Sequence, residues 1–176
     1  RLAQIVQLRM EPAYLNTTPA TGYKQCFQAP AGLPPRMEQD AAEMITAYYE
    51  ALEASEPLSP FFAESLSTVK VGLSEQLVGY PEVADALAEQ TATTTDWRVE
   101  DAEPSVTARE EFAWFHDRLT LAWTDTTLDT DYEFDTRWTG TLEANPDGTW
   151  QFVSLHVSAA NEELQDAEDD LFSWDD

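Results

Sequence analysis

Near Asp96 the hydrophobic pattern of this chain changes its period, and that change limits its fold more than any other feature. From Glu38 to Ala54, the apolar residues Ala41, Met44, Ile45, Tyr48, Tyr49 and Leu52 recur at spacings of three and four, which marks one face of an amphipathic helix. Pro57 and Pro60 close that helix, and Leu58, Phe61 and Phe62 suit a short second one whose first turn tolerates proline. Ser67 to Leu73 reads as a strand. The turn Gly79-Tyr80-Pro81 then leads into a third helix with Pro81 at its first position and Val83, Ala84 and Leu87 facing inward, ending near Thr93. Beyond Asp96 the period becomes two. Trp97 and Val99 open a strand, followed by Glu111 to Thr124, Tyr132 to Glu143 and Trp150 to Ala159. Helices first and an antiparallel meander afterwards predict an α+β domain.

The turn Asn145-Pro146-Asp147-Gly148 predicts the register of the last hairpin. If those residues form the loop, Ala144 faces Thr149, and one face of the hairpin pairs Trp138 with Leu155 and Thr136 with Val157. The other face then pairs Arg137 with His156 and Asp135 with Ser158. Along Phe112 to Trp123, Phe112, Trp114, His116 and Arg118 share one face, while Ala113, Phe115, Asp117, Leu119, Leu121 and Trp123 share the other.

Charge divides the chain at Met37. Residues 1–36 carry Arg1, Arg9, Lys24 and Arg36 against Glu11 alone, whereas the remainder holds the other 33 of the 34 acidic residues and only five of the nine basic ones. The first part also holds Pro12, Pro19, Pro30, Pro34 and Pro35 and no sustained period. It reads either as an adventitious extension ahead of an original start at Met37 or as an arm that packs through Leu2, Ile5, Val6, Tyr14 and Phe27. Three parts result: an arm over 1–36, a domain over 37–160, and an acidic segment over 161–176 that carries eight carboxylates and no base.

A formal charge of -25, with Lys24 and Lys70 the only lysines, fits a protein adapted to molar salt, where the Debye length shrinks to roughly 3 Å. The other reading of this acidity is a dock for a basic partner. Nucleic acid is excluded as a direct partner by like charge. No apolar run approaches a membrane span, no secretory leader is evident, and Cys26 is the only cysteine, so a cytoplasmic location is expected. The two histidines are far apart and lack metal-ligand spacing, and no glycine-rich phosphate loop is present. Neither a metal nor any cofactor is therefore expected.

Three stretches carry a resemblance. They are Ala47-Tyr48-Tyr49-Glu50-Ala51-Leu52 closing the first helix, then Val69-Lys70-Val71-Gly72, then Val78-Gly79-Tyr80-Pro81-Glu82-Val83. Arg137-Trp138-Thr139-Gly140-Thr141-Leu142 and the tryptophan-led strand Trp150 to Ser158, ending His156-Val157-Ser158, complete it. Together they resemble the SnoaL-like proteins of the nuclear transport factor superfamily over about 120 residues. The resemblance implies a cone, in which a curved antiparallel sheet wraps about three N-terminal helices around a cavity, commonly in a dimer. Relatives include isomerases, cyclases, dehydratases and non-catalytic assembly modules, so fold leaves function open.

Candidate chemistry follows from side-chain type. His156 with Asp135 is an acid-base pair, and Asp117, on the apolar side of its strand, is a proton-shuttle candidate. Tyr48, Arg137, His156 and Ser158 are the candidate ligand-binding residues. The alternatives stay open: the Arg137 and His156 face is either cavity or outer surface, and Tyr48 either donates into the cavity or fills the core. The expected partners are a small apolar ligand and a second copy, meeting through the outer sheet face with Trp114 or Trp150 near the centre of a homodimer.

Overall fold

A computed structural model describes residues 35–160; most of the expected arm and the whole acidic segment after 160 lie outside them. Helix α1 (Pro35–Glu53) follows the predicted stripe, burying Ala41, Ile45, Tyr48, Tyr49 and Leu52. It stops where the backbone turns left-handed at Ser55 (φ 53°), with Ser55 N–H donating to the Leu52 carbonyl and Glu56 N–H to that of Ala51. That pattern satisfies two end carbonyls, and Pro57 prevents continuation.

Two α-helices are present among the described residues, not three. The Leu58 to Phe62 stretch forms only a single 3-10 turn, Ser59–Phe61, because Pro57 and Pro60 leave too few amide donors for an α-helical ladder. Strands β1 (Val69–Val71) and β2 (Gln76–Val78) form a short hairpin that leads into α2 (Tyr80–Thr93). Gly79 caps α2 at φ 93°, a conformation that favours glycine, and the Glu82 carboxylate accepts from Val78 N–H at 3.0 Å.

The remaining strands are β3 (Thr94–Glu100), β4 (Ser105–Arg109), β5 (Phe112–Asp125), β6 (Thr130–Ala144) and β7 (Trp150–Ala159). The sheet runs β2-β1-β7-β6-β5-β3, with β4 beside the first half of β5, and it does not close. All pairings are antiparallel except β1 with β7. Helix α1 also tends the free edge: Glu53 accepts from Val99 N–H (2.9 Å) and Glu38 from Ala108 N–H (3.4 Å), groups that would otherwise offer themselves to another strand.

The last hairpin departs from its predicted register. Ala144 pairs with Trp150, not Thr149, because Asp147 takes the Thr149 amide and hydroxyl (3.0 and 2.7 Å) and holds that residue in the loop. A bulge then leaves Val153 without a partner, so that Thr141 pairs with Ser154 and Trp138 with Val157. The bulge lets Trp150 and Phe152 share the inner face with Leu155 and Val157; all four are buried. Trp150 is therefore core rather than outer surface, whereas Trp114 is 47 % exposed. Gly140 sits where nothing larger fits, since a Cβ there would meet the Phe115 ring at 2.6 Å and the Ser154 carbonyl at 2.7 Å.

Candidate functional site

The inner face of the sheet, the side of α2 and the end of α1 enclose a pocket of about 370 Å³. Its apolar wall is aromatic, with Tyr48 from α1, Trp97 from β3, Trp123 from β5 and Trp138 from β6. The Tyr48 ring packs edge-on against Phe61, Phe62, Trp138 and Phe152, which fixes its orientation. Trp138 Nε1–H donates to Thr136 Oγ1 (2.8 Å), whose hydroxyl donates to the Leu119 carbonyl. Trp97 Nε1–H donates to Thr94 Oγ1 (2.9 Å), whose hydroxyl donates to the Gln90 carbonyl. Both indoles spend their polar atom inside the protein and leave apolar surface for the pocket.

The polar wall centres on Lys70. The alternation of β1 turns it inward, and the parallel pairing of β1 with β7 sets it opposite Leu155. Its side chain is 7 % exposed and forms an ion pair with Glu75 (2.5 Å), itself 40 % exposed on the β1–β2 loop. Ser74, Glu89, Gln90 and Asp125 complete the polar rim. Beyond Trp123 the pocket opens into a groove of about 660 Å³ over Tyr132 and Phe134, bordered by the end of β7. There Trp97, Trp123 and Tyr132 stack in succession, at ring separations of 5.0 and 5.2 Å.

The structure separates the residues that the sequence grouped. Asp135, Arg137 and His156 are exposed at positions that alternation sets on the outer face of the sheet, and none of them lines the inner pocket; Asp135 accepts from the Thr120 hydroxyl and Arg137 donates to the Ala159 carbonyl (3.0 Å). His156 faces Thr139 and Arg137 faces Ser158, so the expected facing of Arg137 with His156 is not formed. His156 and Ser158 border the open groove; of the candidate ligand-binding residues, Tyr48 alone lines the inner pocket. Asp117 points inward as its alternation predicted and is buried, but it is bound internally, by the Tyr49 hydroxyl (3.2 Å) and the Glu103 amide (3.1 Å).

Burial holds the Tyr48 hydroxyl well above the ordinary tyrosine range, with the Glu75 charge adding to it. Burial likewise raises Tyr49, helped by the charge and hydrogen bond of Asp117. Both groups keep their protons in the folded chain after they have lost them in the unfolded one. Their contribution to stability is complete below the unfolded value of about 10 and is lost as pH rises beyond it. Titration of tyrosinate absorbance should therefore show Tyr48 and Tyr49 ionising only with cooperative alkaline unfolding. If they titrate before the fold is lost, the burial of these two hydroxyls is wrong.

Sequence reasoning missed Lys70 and Glu75 as site residues. The available signal was a lysine between two valines in a chain with two lysines, at a position that alternation leaves facing the core.

Comparison with known proteins places this geometry. No curated protein matches the chain. Solved structures that resemble it include a nuclear transport factor 2-like superfamily protein from Salmonella enterica serovar Typhimurium (17 % identity, TM-score 0.64, covering 72 % of this chain and 92 % of that one). A candidate dehydratase of the same superfamily from Streptomyces avermitilis is similar at 19 % identity and TM-score 0.61, covering 73 % and 99 %. A ketosteroid isomerase-like protein from Erwinia carotovora atroseptica is similar at 14 % identity and TM-score 0.59, covering 72 % and 98 %. At these identities the likenesses show the fold alone. The family model of the SnoaL-like domain matches residues 41–162, and over that span, which takes in the whole pocket, the chain belongs to the SnoaL-like domain family.

Proposed function

We propose that this SnoaL-like domain binds a small, partly apolar molecule in its cone pocket without a cofactor, inside a cell that keeps its proteins in concentrated salt. The observation that carries the reading is the pocket itself. At about 370 Å³ it falls in the range of small-molecule sites, roughly 300–1,000 Å³, and it joins ring surfaces on one wall to the Lys70–Glu75 pair on the other. An assembly module needs no such space, and its cone can be filled by side chains. The aromatic residues here line the cavity instead of closing it.

The pocket also supports acid-base turnover. A carbonyl or hydroxyl oxygen at the polar wall would meet the Lys70 ammonium as donor and the Glu75 carboxylate as acceptor, while the apolar wall excludes water from the rest of the molecule. Isomerisation and dehydration are the reaction classes that such a pair serves, and relatives of this fold carry both descriptions.

Tryptophan fluorescence tests binding directly, because Trp97, Trp123 and Trp138 border the pocket. Cyclohexanone and 2-tetralone, each with an apolar body and one carbonyl, should quench it saturably. Ala86→Phe, which fills the pocket from α2, should weaken that binding by about tenfold or more, equivalent to roughly 1.4 kcal/mol. Equal affinity in the filled variant, or quenching that never saturates, would remove the pocket from consideration.

A further inference from the structure

The buried polar side chains of this fold pair within the protein, with one exception. Thr68 donates to the Ala63 carbonyl (2.7 Å), Thr136 to that of Leu119 (2.9 Å), and the Trp97 and Trp138 indoles to threonine hydroxyls. Tyr49 donates to Asp117 (3.2 Å). Its sequence neighbour Tyr48 is 2 % exposed, yet among the described residues its hydroxyl has no hydrogen-bond partner. Every side-chain polar atom fully enclosed among those residues does have one, so the Tyr48 hydroxyl is not sealed in the core and opens onto the pocket that the residue lines. A hydroxyl so nearly buried is a cost to the fold unless something in the pocket bonds to it.

A second donor faces the same space. The Lys70 ammonium carries three N–H groups, and among the described residues Glu75 takes one of them. Lys70 also lines the pocket, and at 7 % side-chain exposure its other two N–H groups have little else to turn to. Tyr48 comes from α1 and Lys70 from β1, but the Glu75 charge reaches the Tyr48 hydroxyl and helps to hold its proton, which sets that hydroxyl near the Lys70–Glu75 pair as a lasting donor. Neither donor is free to swing away: Phe61, Phe62, Trp138 and Phe152 hold the Tyr48 ring edge-on, and Glu75 anchors the lysine. The charges around the pocket, Glu75, Glu89 and Asp125 against Lys70 alone, oppose an anion.

We propose that the ligand of this pocket is an uncharged carbonyl compound whose oxygen accepts from the Tyr48 hydroxyl and the Lys70 ammonium together, with its apolar body against Trp97, Trp123 and Trp138. This rests on the reading of the pocket as a small-molecule site, and it adds Tyr48 to Lys70 as a second donor and names the group they hold. A carbonyl oxygen has two lone pairs and no proton, which suits a wall with two donors. An alcohol must also place a proton of its own, and the Glu75 carboxylate is already held by Lys70. A site built to hydrogen-bond one group discriminates against an analogue that lacks it, because its own donors are then left unpaired.

Tryptophan fluorescence of the full chain, at one fixed high salt concentration, compares 2-tetralone with tetralin, which has the same body and no oxygen. The ketone should bind about fivefold more tightly or better. Tyr48→Phe keeps the ring and removes the hydroxyl; it should weaken the ketone about fivefold and leave tetralin within about twofold, a selectivity that general loosening of the pocket would not produce. Lys70→Met should show the same selectivity, with circular dichroism confirming that both variants are folded. In infrared difference spectra the carbonyl band of bound 2-tetralone should lie below its position in hexane and move back upward in Tyr48→Phe. Equal losses for ketone and tetralin in Tyr48→Phe, no loss for either, or an unmoved band would overturn the proposal and leave the pocket a binding site. Binding of 2-tetralol as tight as that of the ketone would overturn the carbonyl class in the same way. If neither 2-tetralone nor tetralin quenches saturably, the small-molecule reading of the pocket fails, and this proposal fails with it.

Discussion

The melting temperature of this protein is expected to rise steeply between dilute buffer and molar potassium chloride. The chain carries a formal charge of -25, and the ion pairs seen among the described residues are Lys70 with Glu75 and Arg98 with Glu100 and Glu133, so most carboxylates there have no basic side chain in contact. At about 0.1 M salt the Debye length of about 10 Å lets each carboxylate act on its neighbours across a turn or a strand; at about 1 M it falls to about 3 Å and the repulsion is confined to direct contacts. The unfolded chain spreads the same charge over a larger volume and gains less from screening. If salt removes about 5 kcal/mol of repulsion, a domain of this size should gain roughly 10–20 °C. Sucrose separates screening from general preferential exclusion, since it stabilises by exclusion alone. Equal melting temperatures across the salt series, or a sucrose series that matches it, would end the salt-adapted reading.

Elements that the sequence made legible are those whose pattern repeats often enough to exceed local noise. Six apolar positions at helical spacing located α1 to within three residues at its start and one at its end, and the alternation from Phe112 to Trp123 in β5 placed Asp117 inward and Trp114 outward. Strand β2, with three residues, and β4, with five, had too few alternations to register. The hairpin register failed for a reason of detail. Asp147 can cap Thr149 only in three dimensions, and the bulge at Val153 is fixed by the burial of Phe152 against Tyr48 and Phe62, both distant in sequence.

The pocket was legible in outline and hidden in its chemistry. Tyr48 announced itself on the helical stripe, but the polar wall depends on the parallel pairing of β1 with β7, which joins Lys70 to a strand 85 residues further on. No local pattern encodes that pairing. The sequence also gave more weight to His156, Arg137 and Asp135, residues whose types suggest catalysis, than to the lysine that the fold turns inward. Alternation keeps all three on one face under either register, because a shift of two residues preserves the side to which each strand position points.

The Lys70–Glu75 pair should respond unequally to loss of either partner, and the direction tests where the polar wall lies. Lys70 is the buried member, at 7 % side-chain exposure, and Glu75 is the open one at 40 %. Glu75→Leu leaves an ammonium with little water and no counter-charge, a change that costs about 3–5 kcal/mol when the site is dry. Because Lys70 borders the pocket, some water can reach it, and about 3 kcal/mol is expected. Lys70→Met removes the buried charge and keeps a similar volume, while Glu75 can turn to solvent, so the cost should stay near 1 kcal/mol or below. The double variant should lie close to Lys70→Met alone, since the penalty belongs to the stranded ammonium and not to the missing contact. Urea unfolding of the three variants at one fixed high salt concentration measures all of this. The same variants bear on function: in Glu75→Leu the freed ammonium should let the pocket take up benzoate, which the wild-type pocket, with its Glu75, Glu89 and Asp125 carboxylates, should exclude. A larger loss of stability in Lys70→Met than in Glu75→Leu would mean that the lysine is solvated and the carboxylate is not, and the polar wall of the pocket would then have to be drawn the other way round.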